Sequence, residues 1–257
     1  MTTFVFLPLR TMRGALLPFL ILMAWEVSVR WHLANPRLLA SPSIVFATTV
    51  TALHNGDLWF ALRASVERML CGLALGTVAG LLLGTVLGLS KTVDTLIGPS
   101  FHAVRQIAVF AWIPLISMWF GLGEAAKVTF IALVALFPVV VNTYEGIKSV
   151  APEYVEVAKV FAFSRWRLLQ RVVLPAATPS IITGIELAVI YAWLATIGAE
   201  YLMTTTAGVG SLLLEGREQF RMDIVLLGIV ATGLVGWLLS SGTRGIGAYL
   251  LRWRVTI

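Results

Sequence analysis

Few side chains in this sequence can do chemistry, and their spacing argues against a reaction. His32, His54 and His102 stand apart, without the short spacing that puts two imidazoles on one metal. Cys71 is the sole cysteine, which excludes a disulfide framework and a multi-cysteine metal site. There is no GxxxxGK[ST] loop to cradle phosphates, no HExxH and no GxSxG. The chain therefore offers no catalytic residue and no metal ligand, and is not expected to be an enzyme. Two carboxylates remain. Glu186 interrupts the apolar run from Val172 to Ala199, and Glu200 ends it beside Tyr201. A carboxylate inside an apolar segment is costly, so it faces a cavity or is neutralised between helices. Both readings of Glu186 stand.

Membrane helices must position these residues. Of 257 residues, 58% are hydrophobic and 12% charged. An ordinary soluble domain carries about 25% charged residues. The mean hydropathy is +0.90, which also excludes disorder. A crossing helix needs about 20 mostly apolar residues. The charge-poor runs predict an all-α membrane protein with six spans, near 14–31, 66–90, 98–120, 125–147, 168–198 and 223–244. The first run follows Arg10 and Arg13 like a signal, but no small-residue cleavage site precedes Trp31, so it reads as a retained anchor.

Six spans put both termini on one side, and basic residues say which. With the termini inside, Arg10, Arg13, Lys91, Arg105, Lys148, Lys159, Arg165, Arg167, Arg171, Arg244, Arg252 and Arg254 are inside, twelve of the 19 basic residues. Arg30, Arg37, Arg63, Arg68, Lys127, Arg217 and Arg221 fall outside. The last outer loop, with Arg217 and Arg221, also carries Glu200, Glu215, Glu218 and Asp223. The termini are thus expected in the cytoplasm. The net charge of +6 reflects topology and lipid contact. No basic stripe is interleaved with aromatics, so nucleic acid is not an expected partner.

Gly72, Gly76, Gly80, Gly84 and Gly88 recur every fourth residue, giving a smooth face for close helix packing. Six tryptophans (Trp25, Trp31, Trp59, Trp119, Trp166, Trp253) sit near span ends, as in interfacial belts. Trp112 and Trp193 lie deeper and either line a path or simply pack. The longest polar stretch, 148–171, lies inside. Pro152 suits a first helical position, followed by Glu153 and Glu156 near the positive helix end. A helix over 152–162 is expected, with an apolar stripe of Val155, Ala158 and Ala162 beside Glu153, Glu156 and Lys159. Ser164 is a plausible N-cap for the next helix. The residues alone leave two readings of this segment open: a helix lying on lipid, or a short helix docking in a partner's groove.

Glu156-Val157-Ala158, Ala162-Phe163-Ser164-Arg165 and Val172-Val173-Leu174-Pro175-Ala176-Ala177-Thr178-Pro179 resemble the EAA loop of ABC importer permeases. Ile113-Pro114-Leu115, Trp119-Phe120-Gly121-Leu122-Gly123-Glu124, Lys127, Phe137-Pro138, Asn142-Thr143 and Gly146 resemble the nitrate/sulfonate/taurine branch. So do Thr183-Gly184, Ala192-Trp193, Ala199-Glu200 and Gly208-Val209-Gly210. The likeness spans roughly 65–254. Asn142-Thr143 and Leu251-Arg252-Trp253 are most similar to the aliphatic sulfonate permeases.

The resemblance implies a type I importer (MetI-like) fold. Residues 1–60 would form an anchor helix and outer connector, 61–250 the permease core, and 251–257 a cytoplasmic tail. The chain would be a homodimer in a bacterial inner membrane, joined by two cytoplasmic ATPases and an external or lipid-anchored substrate-binding protein. ATP and Mg would be bound by the ATPases, with no cofactor here. ATPase coupling would fall to Glu153, Glu156, Ala158, Lys159, Ala162, Phe163, Ser164 and Arg165. The path candidates are Trp112, Pro114, Trp119, Glu186, Trp193 and Glu200. The expected cargo is a small organic anion, an alkanesulfonate first, with taurine, nitrate or an aromatic acid behind. A secondary transporter or channel working without an ATPase is the alternative.

Three positions depart from the family pattern. Ala162 replaces a usual glycine, and a left-handed turn there would be strained. Ala108 stands where proline is usual. Glu186 stands where relatives carry a basic residue.

Overall fold

The computed structural model describes residues 8–31, 33, 35, 39–203 and 207–252, with side chains from residue 16 onward. These residues are helical, without a strand among them. In order they form α1 (Pro8–Arg30), α2 (Pro42–His54), α3 (Asp57–Leu89), α4 (Lys91–Arg105), α5 (Ile113–Phe120), α6 (Glu124–Lys148), α7 (Pro152–Val160), α8 (Arg165–Leu168), α9 (Leu174–Leu202), α10 (Val209–Glu218) and α11 (Met222–Leu250). A 3-10 turn, Val109–Trp112, leads into α5, and a π segment, Leu169–Val173, joins α8 to α9. The π register falls just ahead of Pro175, whose ring and missing N–H disturb a regular α ladder.

Among the described residues, four helical segments are each long and apolar enough to cross a membrane: Asp57–Leu89, Glu124–Lys148, Arg165–Leu202 and Met222–Leu250. α1 adds a 23-residue helix in the place of the first predicted span. The third predicted span, 98–120, is corrected. It is not one rod but two helical pieces bent by 100° at a break after Arg105. A hydropathy window averages over such a bend, because composition does not change where direction does.

The glycine stripe fixes the centre of the bundle. On α3, Gly72, Gly76, Gly80, Gly84 and Gly88 meet Ile131, Ala135, Val139, Thr143 and Ile147 of α6 at a constant offset. Both numbers rise together, so the two helices run parallel. A Cβ added at any of the five would fall 2.6–2.9 Å from an α6 side chain. The seam covers four residue steps of four, about 24 Å at 1.5 Å per residue. The parallel packing requires 90–123 to carry the chain back across the bundle, which is the course of α4 and α5. α9 packs antiparallel on α6: Gly184 lies against Asn142, Gly146 against Ser180, and Ser180 Oγ donates to the Asn142 carbonyl at 2.8 Å. α11 runs antiparallel to α9, joined by Trp193 Nε1 donating to the Thr232 carbonyl at 3.0 Å.

The main core gathers Met69, Ile116, Phe130, Ile131, Val139, Ala192, Trp193 and Ala199 from α3, α5, α6 and α9. One end of the bundle carries α7, the other α10. At the α10 end, Glu26 of α1 accepts from the Ser43 amide (3.0 Å) and hydroxyl (2.8 Å), satisfying donors at the start of α2. Thr48 Oγ1 of α2 donates to Asp223 at 2.8 Å, tying α2 to α11.

Candidate functional site

At the α7 end, Pro152 opens α7 as expected, but the helix stops at Val160 rather than at 162. Ala162 ends it in a left-handed conformation, φ 53°, where an alanine Cβ is crowded. Ser164 then caps α8, its hydroxyl accepting from the Arg167 amide at 3.4 Å. The expected apolar stripe is corrected. Ala158 is buried and Val155 half-buried against the chain's own helices, while Ala162 lies beyond the helix. A second apolar face is exposed instead: Tyr154, Val157 and Phe161, with Val160 85% exposed beside them. Tyr154, Val157 and Phe161 border a groove whose other wall is Val172, Pro175, Ala176 and Pro179 of the π segment and α9. Glu153, Glu156, Lys159 and Arg165 are exposed around it, and Phe163 lines the groove half-buried.

The six path candidates do not converge. Pro114 and Trp119 are exposed on α5, and Trp112 is half-buried beneath them. Glu186 is half-buried between α9 and α11, its carboxylate against Gly247. Trp193 is buried in the core.

Glu200 is enclosed more fully. It is 0% exposed and faces protein on every side. One carboxylate oxygen accepts from Ser65 Oγ at 2.9 Å and from the Gly210 amide at 2.8 Å; the other is ion-paired to Arg68. Ser65 in turn accepts from the Val209 amide at 2.9 Å. Glu200 and Ser65 thus satisfy the first N–H groups of α10, as side-chain caps do. Gly208 and Gly210 pass so close to Glu200 that a Cβ on either would collide with its side chain. Arg68 reaches across to Glu124 through Nε (2.7 Å) and Nη2 (2.6 Å), and Nη2 donates to the Ala207 carbonyl at 3.3 Å. Lys127, 0% exposed, lies in the field of all three charged groups. Two cations and two carboxylates balance, which is how a buried cluster escapes the cost of a lone charge.

Sequence reasoning missed this cluster as a unit, counting Arg68 and Lys127 only as outer-loop charges. One signal was present. Arg68, Lys127 and Glu200 each bound a charge-free run at what the topology makes the same face. Charges of opposite sign at one depth can pair.

Residues 76–254 match the family model of the binding-protein-dependent transport system inner membrane component. The chain is 35% identical over 243 residues to the Bacillus subtilis (strain 168) protein named aliphatic sulfonates transport permease protein SsuC, covering 95% of this chain and 88% of that one. It is 30% identical over 238 residues to the taurine transport system permease protein TauC of Escherichia coli (strain K12), covering 91% and 86%. The solved structure titled inward facing conformations of the MetNI methionine ABC transporter shares the fold, with a TM-score of 0.61 at 13% identity over 72% of this chain and 92% of that one.

The apolar helices make this a multi-pass membrane protein with the fold of the type I ABC importer permeases. The chain belongs to the binding-protein-dependent transport system inner membrane component family.

Proposed function

We propose that this chain is the path-forming permease subunit of an ATP-driven importer in a bacterial inner membrane. It works as a homodimer with two cytoplasmic ATPases, which bind ATP and Mg, and an external substrate-binding protein. The α7 end faces the cytoplasm, as the distribution of basic residues supports.

The observation that carries this reading is the exposed apolar face of α7 (Tyr154, Val157, Val160, Phe161) beyond the last residue of α6. Such a face on a nine-residue helix fits a protein groove, the setting for short amphipathic anchors. In the cycle, closing of the ATPase pair moves α7, and the packed helices carry the motion as rigid bodies to the other end. ATP and the loaded binding protein bias the two states differently, and that difference drives transport. The cargo is an aliphatic sulfonate, a reading supported by the likeness to SsuC, with taurine, nitrate and aromatic acids as the ordered alternatives.

Proteoliposomes holding the permease, its ATPase and its binding protein test this. ATP-dependent accumulation of an alkanesulfonate, outcompeting taurine, nitrate and benzoate in a panel, is the expected result. Accumulation driven by an ion gradient without ATP would sink the reading.

A further inference from the structure

α4 is held loosely for a helix in the middle of the chain. Of its residues only Gly98 and Phe101 are buried, Phe101 beside Phe137 of α6 with ring centroids 5.9 Å apart. Its remaining tie to α6 is polar. Asp94 Oδ2 accepts from Lys148 Nζ at 2.5 Å and from the Tyr144 hydroxyl at 3.2 Å. Lys148 Nζ also lies 4.8 Å from the centre of the Tyr144 ring. His102, two turns on along α4, sets its ring against Tyr144 with centroids 6.5 Å apart. Asp94, Gly98, Phe101 and His102 fall at i, i+4, i+7 and i+8, so they share one stripe of α4. Gly98 leaves room for Asp94: a Cβ there would stand 3.0 Å from Asp94 Oδ1.

The position of Lys148 gives this tie its meaning. Lys148 is the last residue of α6, and only Ser149, Val150 and Ala151 separate it from α7. Asp94 stands in the first turn of the helix that leads to the 100° bend and α5. The tie therefore joins the root of α7 directly to the bent segment, without passing through the α3–α6 seam.

We propose that Asp94, Lys148 and Tyr144 form a mechanical link through which displacement of α7 moves α4 and the bend before α5. The inference rests on the importer reading above. Asp94 and Lys148 are positioning residues, since neither needs to touch cargo or nucleotide. Loss of the link leaves ATPase docking intact and wastes ATP.

Two measurements on the reconstituted transporter test it. The first is cargo moved per ATP hydrolysed, for Asp94→Asn, Lys148→Met, Tyr144→Phe and the swap Asp94→Lys with Lys148→Asp. The two charge variants should copurify with ATPase as the parent does, yet lose at least about fivefold in this ratio, the lower end of site-to-site coupling effects. Tyr144→Phe should lose less, and the swap should recover most of the loss. Parent-like ratios in both charge variants overturn the link, as does a swap no better than either single change. The second measurement needs no transport, so it reads the link even if the importer reading itself fails. With Cys71→Ser as background, spin labels at exposed Leu96 on α4 and exposed Val160 on α7 report their separation. A narrow distribution that broadens in Asp94→Asn supports the link, and an unchanged distribution overturns it.

Discussion

Glu200 shows how far a residue's role can lie from its most obvious reading. As an acid at the end of an apolar run it resembles a path-lining group. In the fold it is walled in by Ser65, Arg68 and the glycines that open α10. Its removal leaves Arg68 with one carboxylate instead of two and the Gly210 amide of α10 without its cap. Glu200→Ala is expected to cost about 3–5 kcal/mol, the scale for breaking a buried ion pair from one side. A thermal-unfolding scan in detergent checks this. Parent-like stability with altered cargo preference would return Glu200 to the path. Ala162 calls for the opposite change. Its φ of 53° is easy for glycine and strained for alanine, so Ala162→Gly should stabilise the protein by about 1 kcal/mol. The same scan reads the sign. The strain was legible in the sequence as a condition, because an alanine at a turn position matters only if the turn is left-handed. Arg68 was not legible, because its partners lie 56 and 132 residues away and no local pattern joins them.

At the scale of elements, a pattern was readable where one periodicity had one use. The five glycines of α3 repeat at the helical period and serve one seam, so their packing role followed from spacing alone. α7 has two apolar faces, Val155 with Ala158 and Tyr154 with Val157 and Phe161. Periodicity cannot say which of them the rest of the chain covers, and tertiary packing chose the first. The seam gives a sharp contrast. Gly80→Leu would drive a side chain into Val139, whereas Gly233→Leu on α11 meets nothing within 4 Å. Gly80→Leu is expected to cost roughly 3 kcal/mol or more, at the upper end of overpacking penalties. Gly233→Leu should leave folding intact. Monodispersity in size-exclusion chromatography separates the two outcomes, and equal behaviour would mean that α3 and α6 are not tightly docked.

For the whole molecule, the two ends of the bundle differ in kind. The α10 end is locked by a neutral charge cluster and two helix-start contacts. The α7 end presents apolar surface and looser ties. Val157→Asp, on the exposed face, is therefore expected to abolish ATPase copurification while leaving the unfolding midpoint within about 0.5 kcal/mol of the parent, as surface changes do. Ala158→Asp, buried under the same helix, should lower the midpoint as well. Two variants equal in both measures would show that α7 does not present the face described. Four of the membrane helices could be read from hydropathy, since lipid demands the same composition of each. The 100° bend could not, because lipid is indifferent to direction.

The constant offset between α3 and α6 has a consequence for change in length. A single residue inserted between Gly76 and Gly80 turns everything beyond it by about 100°, since an α-helix takes 3.6 residues per turn. Gly80, Gly84 and Gly88 would then swing off α6 and bulky neighbours would swing in. An insertion in 90–123 spares that seam, although one placed between Asp94 and Gly98 would turn Phe101 and His102 away from α6 in the same way. The two helices form a ruler that must be copied residue for residue.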